Sequence, residues 1–571
     1  MSKIRGADIL LKCLIQEKVK YVFGVPGGQI LPVLDAIYRR RKEGIDFIMT
    51  RHEQAAAHMA DAWSRLKGEV GVCLSTLGPG AVDLVPGVFE AYAEGSPILV
   101  LTAQNQSWRS YPDHGSTHPS NNYELFKPIT KWNAVVSHWE RIPELVQRAF
   151  RTALGGKPGP VHLDFPVDVL FKEDEEEKVR ILSPERYRAQ VASSGDMSAI
   201  KKAVEMIKDA KVVLLHSGGG VLRAGAWGEL KELAEYLGSS VTTSIFGRSA
   251  ISEEHPLCLI PAGYGALTAQ AEADLVILIG SKLGDLDLWG RPPAWGVPEK
   301  QKLIQIDISE ESIGLNREVD LAIIGDAKGV LEQILSELKG SDFTKREESE
   351  DNIKKYKKIQ DEWLSPLLKQ AQSDEIPVHP LRLVKEVREF FPKDAITVVD
   401  GGNTQVWSNY LNRVYEPRTL LHQADSGMLG GGLPKAIAAK LACPQKEVYV
   451  ITGDGALMLN IQEIETARRL NLSLVVIVAN DRSWGMIKSG QKDAYDGRYI
   501  GVDFFDVRYD KVAEAMSCYG ERVESPKDIK SALKRALDSK LPAVIDIMIN
   551  PEINLAPPDL GLIFNIWLEG V

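Results

Sequence analysis

The segment from residue 448 to residue 484 constrains the fold more than any other part of the chain. It reads Val-Tyr-Val-Ile-Thr-Gly-Asp-Gly-Ala-Leu-Met-Leu-Asn, continues through a stretch of helical periodicity, and ends in Leu-Ser-Leu-Val-Val-Ile-Val-Ala-Asn-Asp-Arg-Ser-Trp. This pattern predicts a strand, a tight turn, a helix and a second strand parallel to the first. The carboxyl ends of two such strands lie side by side, and open α/β sheets bind ligands at that edge.

A carboxylate follows each of the two predicted strands. Asp454 comes after the first strand and Asp481 after the second, so their oxygens should converge. Gly453 and Gly455 would let backbone N–H groups approach an anion closely. Gly-Asp-Gly alone could be an ordinary exposed turn, but the Asn-Asp ending of the second strand favours Mg²⁺ shared between the protein and a diphosphate.

With these elements the chain resembles the thiamine-diphosphate-dependent enzymes, whose cofactor motif is Gly-Asp-Gly, a helix and a strand that ends in Asn-Asn. The resemblance implies that Asp454 and Asp481 are metal ligands, with the main-chain carbonyl of Ser483 as a third. The last asparagine of the family motif is Asp481 here, which still offers an oxygen but adds one negative charge. The resemblance also implies cofactor contacts at Gly453, Gly455, Ala456, Asn480, Trp484, Gly485, Met486 and Ile487.

The family also requires a glutamate from another domain, which protonates the aminopyrimidine ring of the coenzyme. The pattern Arg-His-Glu-Gln-Ala-Ala places Glu53 after an apolar strand and at the start of an alanine-rich helix. A helix N-terminus favours acids in general, so position alone would not assign a role. Together with the Asp454 motif, the match makes Glu53 the candidate catalytic acid, and burial should raise its pKa.

Further segments match the family residue by residue. One of them supplies a bulky apolar side chain that wedges between the two rings of the coenzyme, so that their reacting atoms meet. Leucine or methionine is more often a core residue, and only the surrounding motif favours the wedge. The implied cofactor contacts are Pro26 and Gly27 in the first loop, Pro79 in a Gly-Pro-Gly turn, Asn403 and Thr404 in the diphosphate loop, and Leu429 as the wedge with Met428 as its neighbour.

Length and periodicity indicate three α/β domains. The chain has 571 residues, of which 44% are hydrophobic, enough for several cores. Short apolar runs followed by glycine and a helix pattern indicate doubly wound parallel sheets. Charged stretches at 171–194 and 340–374 read as solvated linkers or exposed helix faces. The predicted domains are a pyrimidine-binding domain at 1–185, a central domain at 195–340 and a diphosphate-binding domain at 375–571, the first and third alike in plan.

Charge and cysteine content exclude several classes of partner. The formal net charge of −10 argues against nucleic acid or an anionic membrane as a main partner. No apolar run approaches the roughly 20 residues of a transmembrane helix. The five cysteines are scattered and odd in number, as expected for reduced core residues of a cytoplasmic protein.

Within the family, the chain is most similar to acetolactate synthases, over nearly its whole length. Residues 117–120 and 127–132 resemble the FAD-independent, catabolic branch. An FAD-linked element of the biosynthetic branch is replaced by residues 282–287, and its Phe-Gln-Glu element is absent, which argues against FAD. The tryptophan that narrows the biosynthetic substrate pocket is Gly490 here, which leaves room for an acceptor larger than pyruvate or 2-oxobutyrate.

The resemblance implies decarboxylation of a 2-oxo acid such as pyruvate and carboligation to a second carbonyl, in a homodimer or homotetramer. Gln104 matches a glutamine near the substrate, and His118 is a candidate for proton transfer, although His114 and His118 could equally be exposed loop residues. The alternatives are a 2-hydroxyacyl-CoA lyase, a 2-oxo acid decarboxylase or a non-catalytic protein that binds the cofactor.

Two further segments leave alternatives open. The turn at Gly218 and Gly220 misses the dinucleotide spacing, so it either binds a nucleotide or packs a helix onto the sheet. The apolar tail at 557–567 either covers the active site or docks on its own domain.

Overall fold

The structure is a computed structural model that describes residues 2–261, 263–345, 348–558, 560–561 and 564–565. Three parallel sheets form an N-terminal, a central and a C-terminal domain. This confirms the predicted architecture of three α/β domains. Among the described residues, no helix combines the length and the apolar composition that crossing a bilayer requires.

The N-terminal domain has a six-stranded sheet in the order β3-β2-β4-β5-β7-β6. A separate antiparallel pair joins β1 to β8, so part of the first charged stretch is a strand. The strands are β1 (Lys3–Arg5), β2 (Tyr21–Gly24), β3 (Asp46–Met49), β4 (Gly71–Ser75), β5 (Ile98–Gln104), β6 (Trp132–Val135), β7 (Val161–Pro166) and β8 (Glu173–Glu175). The helices are α1 (Gly6–Gln16), α2 (Leu31–Arg40), α3 (Glu53–Lys67), α4 (Pro79–Asp83), α5 (Val85–Ala93), α6 (Ser107–Ser110), α7 (Asn122–Phe126), α8 (Ile142–Leu154) and α9 (Val167–Phe171).

The central domain has a five-stranded sheet in the order β10-β9-β11-β12-β13. Its strands are β9 (Val213–Ser217), β10 (Ser240–Thr243), β11 (Leu275–Ile279), β12 (Lys302–Asp307) and β13 (Leu321–Ile324). Its helices are α10 (Met197–Asp209), α11 (Gly219–Ala224), α12 (Trp227–Leu237), α13 (Tyr264–Glu272) and α14 (Ala327–Lys339). The second charged stretch contains the long helix α15 (Glu348–Gln370), which packs against α13 and buries Tyr356 and Leu364.

The C-terminal domain has a six-stranded sheet in the order β15-β14-β16-β17-β19-β18. Its strands are β14 (Ile396–Asp400), β15 (Leu420–Leu421), β16 (Val448–Gly453), β17 (Val475–Asn480), β18 (Tyr519–Val523) and β19 (Ala543–Met548). Its helices are α16 (Pro380–Phe390), α17 (Gly402–Leu411), α18 (Gly432–Ala442), α19 (Asp454–Met458), α20 (Glu463–Arg469), α21 (Gly485–Ala494), α22 (Tyr509–Ala515), α23 (Ile529–Asp538) and α24 (Pro551–Asn554).

The two six-stranded sheets share one topology. When the strands of each sheet are numbered along the chain, both orders read 2-1-3-4-6-5, and all neighbouring pairs are parallel. The expected likeness of the first and third domains is therefore confirmed, although no residue-level repeat reveals it.

Both faces of each sheet are covered. Alternate residues of one strand belong to different hydrophobic clusters, as with Val450 and Ile451 of β16, which explains why these strands read as continuous apolar runs. One cluster crosses the boundary between domains, because α3 packs directly against α18. Buried alanines such as Ala56 and Ala436 allow the two helices to approach closely. This contact fixes the N-terminal domain against the C-terminal domain of the same chain.

Candidate active site

A cavity of about 650 Å³ lies at the carboxyl edge of the C-terminal sheet, between the C-terminal and central domains. Its wall includes the loops that follow β14, β16 and β17, which is where a doubly wound sheet binds its ligands. Of the residues predicted from the sequence, the lining contains Asn403, Thr404, Leu429, Gly453, Asp454, Gly455, Ala456, Asp481, Ser483, Trp484, Gly485, Met486 and Ile487.

Asp454 and Asp481 follow two adjacent parallel strands, as expected, because Gly453 of β16 pairs with Ala479 of β17. Both carboxylates are buried. Burial, and after it the charge of Asp481, raises the pKa of Asp454 to about 8. Burial also raises the pKa of Asp481. Two carboxylates that resist ionisation together in this way suit a divalent cation, which would stabilise both charged forms.

Asn554 orients Asp481. Its Nδ2 donates to Asp481 Oδ2 at 2.7 Å, while Ser483 donates to the same carboxylate through its hydroxyl at 2.9 Å and its backbone N–H at 3.1 Å. The backbone carbonyl of Asn554 accepts from Asn403 Nδ2 at 2.7 Å. Asn554 thus joins the loop after β17 to the loop after β14. No motif in the sequence assigned it this role.

The amide oxygen of Asn403 is buried and has no hydrogen-bond partner among the residues that the structure describes. The nitrogen of the same amide is engaged by Asn554 and by Ser489 Oγ at 3.1 Å. A buried acceptor without a partner costs on the order of 1–3 kcal/mol. Because Asn403 lines the cavity, its free oxygen fits a donor group of a bound ligand.

Glycines let the loops around the cavity close on each other. Gly401 has φ = +108°, a conformation that glycine adopts readily. A Cβ atom at Gly402 would lie 2.6 Å from Cβ of Met486, and one at Gly455 would lie 2.7 Å from the ring of Trp484. The ten-residue helices α17 and α21 begin at this edge. Backbone N–H groups and helix N-termini together suit a diphosphate.

Two predicted cofactor residues of the C-terminal domain do not line the cavity. The side chain of Asn480 donates to Asp546 Oδ1 at 2.8 Å and accepts from the N–H of Arg482 at 3.2 Å, so it supports the loop from behind. Met428 is also outside the lining, whereas Leu429 is part of it. The structure therefore favours Leu429 over Met428 as the apolar side chain that would contact the coenzyme rings.

Glu53 lies in a second cluster, on the N-terminal domain. It begins α3, and its Oε1 would lie 2.9 Å from a Cβ atom at Gly80. Gly27 of the first loop packs against Thr76, which also lies beside Gly80. Burial is the main cause that raises the pKa of Glu53. The first loop, the Gly-Pro-Gly turn with Pro79, and Glu53 are thus brought together, and the exposed Pro26 and Pro79 lie at the surface.

Gln104 is the last residue of β5, and His118 lies in the loop beside this cluster. Gln104 is buried, donates to the Ser120 carbonyl at 2.8 Å and accepts from the Asn105 N–H at 2.9 Å. Ser120 Oγ accepts from the N–H of Gly78 at 3.2 Å. His118 is exposed and packs its Cβ close to Gly78. Gln104 therefore uses its amide to hold the loop in place.

Glu463 of the C-terminal domain holds the peptide that leads into Glu53. Its Oε1 accepts from the N–H groups of Arg51 at 2.9 Å and His52 at 3.1 Å, and its Oε2 accepts from Thr466 Oγ1 at 2.7 Å. Burial raises the pKa of Glu463 to about 7. No local sequence pattern predicts this contact, which joins residues more than 400 positions apart.

The two clusters do not meet within one chain. Among the described residues, none of the N-terminal domain lines the cavity. Apolar side chains are exposed near both clusters, with Leu31 57% and Val82 49% exposed on the N-terminal side and Met458 48% and Ile487 56% exposed on the C-terminal side. Apolar side chains exposed next to functional loops are typical of a surface that another protein covers.

The glycine-rich turn of the central domain packs a helix onto its sheet. A Cβ atom at Gly220 would lie 2.6 Å from Cα of Gly280, and one at Gly218 would overlap the Gly280 carbonyl. Neither residue lines the cavity, whereas Asp287 and Trp295 of the same domain do. The geometry favours the packing interpretation over a nucleotide site at this turn.

The structure describes part of the apolar tail at 557–567. Pro558 and Gly561 line the cavity, which supports the prediction that the tail covers it. Asp559, Leu562, Ile563, Ile566 and Trp567 lie outside the described residues.

Comparison with family models identifies all three domains. Residues 4–125 match the N-terminal TPP binding domain of thiamine pyrophosphate enzymes, residues 200–334 match their central domain, and residues 400–547 match their C-terminal TPP binding domain. The central and C-terminal matches begin and end near the observed sheets, whereas the N-terminal match ends before β6 and β7 of its sheet.

The chain is similar to acetolactate synthase large subunits over 98% or more of its length. The chain is 35% identical to a protein named "Probable acetolactate synthase large subunit" from Methanococcus aeolicus, over 98% of this chain and 94% of the relative. It is 35% identical to the protein of the same name from Methanocaldococcus jannaschii, over 99% and 95%. It is 30% identical to the acetolactate synthase isozyme 3 large subunit of Escherichia coli K12, over 100% and 99%.

Proposed function

Because the chain belongs to the thiamine pyrophosphate enzymes and is acetolactate synthase-like, we propose that it decarboxylates pyruvate and joins the remaining two carbons to a second 2-oxo acid. With two pyruvate ions, one C–C bond breaks to release CO₂, one C–C bond forms at the second carbonyl carbon, and one proton is taken up. The product is 2-hydroxy-2-methyl-3-oxobutanoate. The observation that carries the proposal is the buried Asp454–Asp481 pair beside a glycine cradle.

The residues around the cavity fit thiamine diphosphate and Mg²⁺. Asp454, Asp481 and the Ser483 carbonyl would hold the metal, since hard oxygen ligands suit it. The N–H groups near Gly402 and Gly455 would receive the diphosphate. When bound, the coenzyme supplies the electron sink that decarboxylation of a 2-oxo acid requires.

Side chains of the protein would orient the metal ligands and protonate the coenzyme. Asn554 fixes the Asp481 carboxylate through the 2.7 Å hydrogen bond, and neighbours of this kind tune a metal site. Glu53 holds a proton on its carboxyl group at higher pH than an exposed glutamate would, because burial raises its pKa. Glu463 anchors the backbone before Glu53. We propose that Glu53 would donate this proton to the aminopyrimidine ring of the bound coenzyme.

We propose that the active unit is at least a homodimer, and a homotetramer built from two such dimers is compatible with it. Glu53 and the cavity lie apart in one chain, so Glu53 of the partner subunit would complete each site. The exposed Leu31, Val82, Met458 and Ile487 support this arrangement, because a second copy would bury them. All five cysteines are free, which is compatible with a cytoplasmic enzyme.

The test is product analysis with purified protein. Pyruvate, thiamine diphosphate and Mg²⁺ should yield CO₂ and 2-hydroxy-2-methyl-3-oxobutanoate in equal amounts, as measured by NMR. Release of CO₂ with acetaldehyde would instead assign a 2-oxo acid decarboxylase, and cleavage of a 2-hydroxyacyl-CoA without turnover of pyruvate would assign a lyase. An Asp454→Ala variant, which loses a proposed metal ligand, is the matched control for activity from contaminants.

A further inference from the structure

The segment 105–121 connects β5 to α7 and passes the turn at Gly78. A Cβ atom at Gly78 would lie 2.8 Å from Cβ of His118, and Gly80 of the same turn lies beside Glu53. Within this fully described segment, α6 is the one helix. A long surface connection keeps a single shape only when contacts outside its own backbone order it.

Asp164 of β7 supplies such contacts from inside the sheet. Its carboxylate has no solvent exposure and accepts three hydrogen bonds, from Thr102 Oγ1 at 2.5 Å, Tyr111 Oη at 2.8 Å and Asn122 Nδ2 at 2.8 Å. Thr102 belongs to the neighbouring strand β5, whereas Tyr111 lies within the segment and Asn122 directly follows it. One buried anion therefore contacts both the middle of the segment and its end.

The hydroxyl of Tyr111 is a donor in this contact. Burial, and after it the charge of Asp164, raises the pKa of Tyr111, so the phenol keeps its proton. A hydrogen bond from a neutral donor to a buried carboxylate is charge-assisted and stronger than one between two neutral groups. The contact thus ties the segment firmly to β7.

Asn122 extends the contact to the Gly78 turn. Its side-chain oxygen accepts from Ser120 Oγ at 2.6 Å, and Ser120 Oγ in turn accepts from the N–H of Gly78 at 3.2 Å. The carbonyl of Ser120 accepts from Gln104 Nε2 at 2.8 Å. Two side chains therefore connect the buried Asp164 to the turn beside Glu53, and the predicted substrate residue Gln104 joins the same network.

We propose that Asp164 is a positioning residue for the carboligation, which holds the segment 105–121 beside Glu53 through Tyr111 and Asn122. This inference rests on the proposed function and adds to it the group that orders the substrate side of the site. Asp164 acts through other residues, because it is enclosed in the N-terminal sheet. The proposed metal ligands belong to another domain, so the use of pyruvate should depend on this network and the binding of Mg²⁺ should not.

The experiment removes one hydroxyl from the full-length holoenzyme, in Tyr111→Phe. We expect kcat/KM for pyruvate to fall about 10-fold, as for the loss of one hydrogen bond to a charged group, and the Mg²⁺ activation constant to stay unchanged. Amide hydrogen exchange of the peptide that covers 105–121, measured by mass spectrometry, should become about 10-fold faster.

Tyr123→Phe is the matched control. Tyr123 is a half-buried tyrosine of the adjacent helix α7, and its hydroxyl has no hydrogen-bond partner among the described residues. It should leave the kinetics and the exchange rates unchanged.

A second variant tests whether Tyr111 acts through Asp164. Asp164→Asn removes the charge and keeps the size of the side chain, so Tyr111→Phe should cost less than about 2-fold more in that background. The same 10-fold loss in both backgrounds would overturn the proposal. If Asp164→Asn does not fold, Ser120→Ala takes its place, and unchanged kcat/KM and exchange in Ser120→Ala would overturn the proposal equally.

The outcomes separate the two levels of the argument. A wild-type enzyme that forms no carboligation product would show that the proposed function is wrong, and the inference falls with it. If the wild type is active and Tyr111→Phe matches Tyr123→Phe in kinetics or in exchange, the function stands and the positioning role is overturned. A Tyr111→Phe variant that loses Mg²⁺ affinity by the same factor as kcat/KM would also overturn it, since the damage would then be general.

Discussion

Asn554 donates a hydrogen bond of 2.7 Å to the carboxylate of Asp481. This bond connects the last helix before the tail to the loop after β17. The same residue accepts from Asn403 through its backbone. The geometry of the proposed metal site therefore depends on a residue that follows the Asp481 loop by 73 positions.

Replacement of Asn554 by alanine should weaken Mg²⁺ binding. Loss of a residue that orients a metal ligand typically costs about 10- to 100-fold in metal affinity. Activity titrated with Mg²⁺ at saturating thiamine diphosphate would measure the change. Glu552→Ala is the control, because Glu552 is exposed on the same short helix. Equal Mg²⁺ affinity in Asn554→Ala and Glu552→Ala would contradict the proposed role.

Glu463 should make thermal stability depend on pH. Burial raises its pKa from 4.5 to about 7, so the folded protein binds this proton more tightly than the unfolded chain does. Its ionisation therefore costs stability as pH rises from about 4.5 to about 7, up to about 3 kcal/mol for a shift of this size. Below that window the cost is absent.

Glu463→Gln cannot ionise and keeps an oxygen for the N–H groups of Arg51 and His52. Its melting temperature should exceed that of the wild type at pH 8 and approach it at pH 5, as measured by scanning calorimetry. Glu514→Gln, an exposed glutamate of the same domain, controls for the lost charge. A variant that melts below the wild type by the same amount at both pH values would show that burial of the charge is not the main effect.

Lys435 and Glu90 form an ion pair with no solvent exposure, between the C-terminal and N-terminal domains. Lys435 also donates to Gln423 at 3.1 Å, and Gln423 donates to Asp400. Asp400 accepts the N–H of Gly432 at 2.7 Å, just after the Leu429 segment. The ion pair thus supports the segment that we expect to contact the coenzyme.

Lys435→Met should destabilise the protein by about 3–5 kcal/mol, because it leaves the buried Glu90 carboxylate without its lysine partner and beside the imidazole of His58. The double variant Lys435→Met/Glu90→Gln removes both charges and should recover part of this loss. Thermal unfolding of the two variants gives the comparison. If the double variant melts lower than Lys435→Met, the unpaired charge is not what destabilises the single variant.

Local sequence patterns predicted those site residues that directly follow a strand. Asp454 and Asp481 follow apolar strands whose pairing the pattern fixes, and Glu53 follows a strand and begins a helix in the same way. Asn480 is a predicted cofactor contact, but its side chain is hydrogen-bonded to Asp546 of β19. No sequence pattern predicted that strand. A residue's position in a motif therefore does not determine whether its side chain lines the cavity or hydrogen-bonds to a neighbouring strand.

The contacts that the sequence did not predict are long-range. Glu463 meets Arg51, and Asp164 meets Tyr111, only after the chain has folded, so no local period marks them. Strand β7 was missed for a related reason. It contains the fully buried His162 and Asp164, which look like surface residues in the sequence but both hydrogen-bond to the hydroxyl of Thr102 on the neighbouring strand.

In the proposed dimer, each coenzyme site uses Asp454 of one protomer and Glu53 of the other. The most direct measurement mixes two inactive variants, Glu53→Gln and Asp454→Ala, after reversible dissociation of the subunits. Random pairing should restore roughly a quarter of wild-type carboligase activity, because half of the dimers then contain one intact site. A mixture that stays as inactive as either variant alone, although mixed dimers form, would contradict the account.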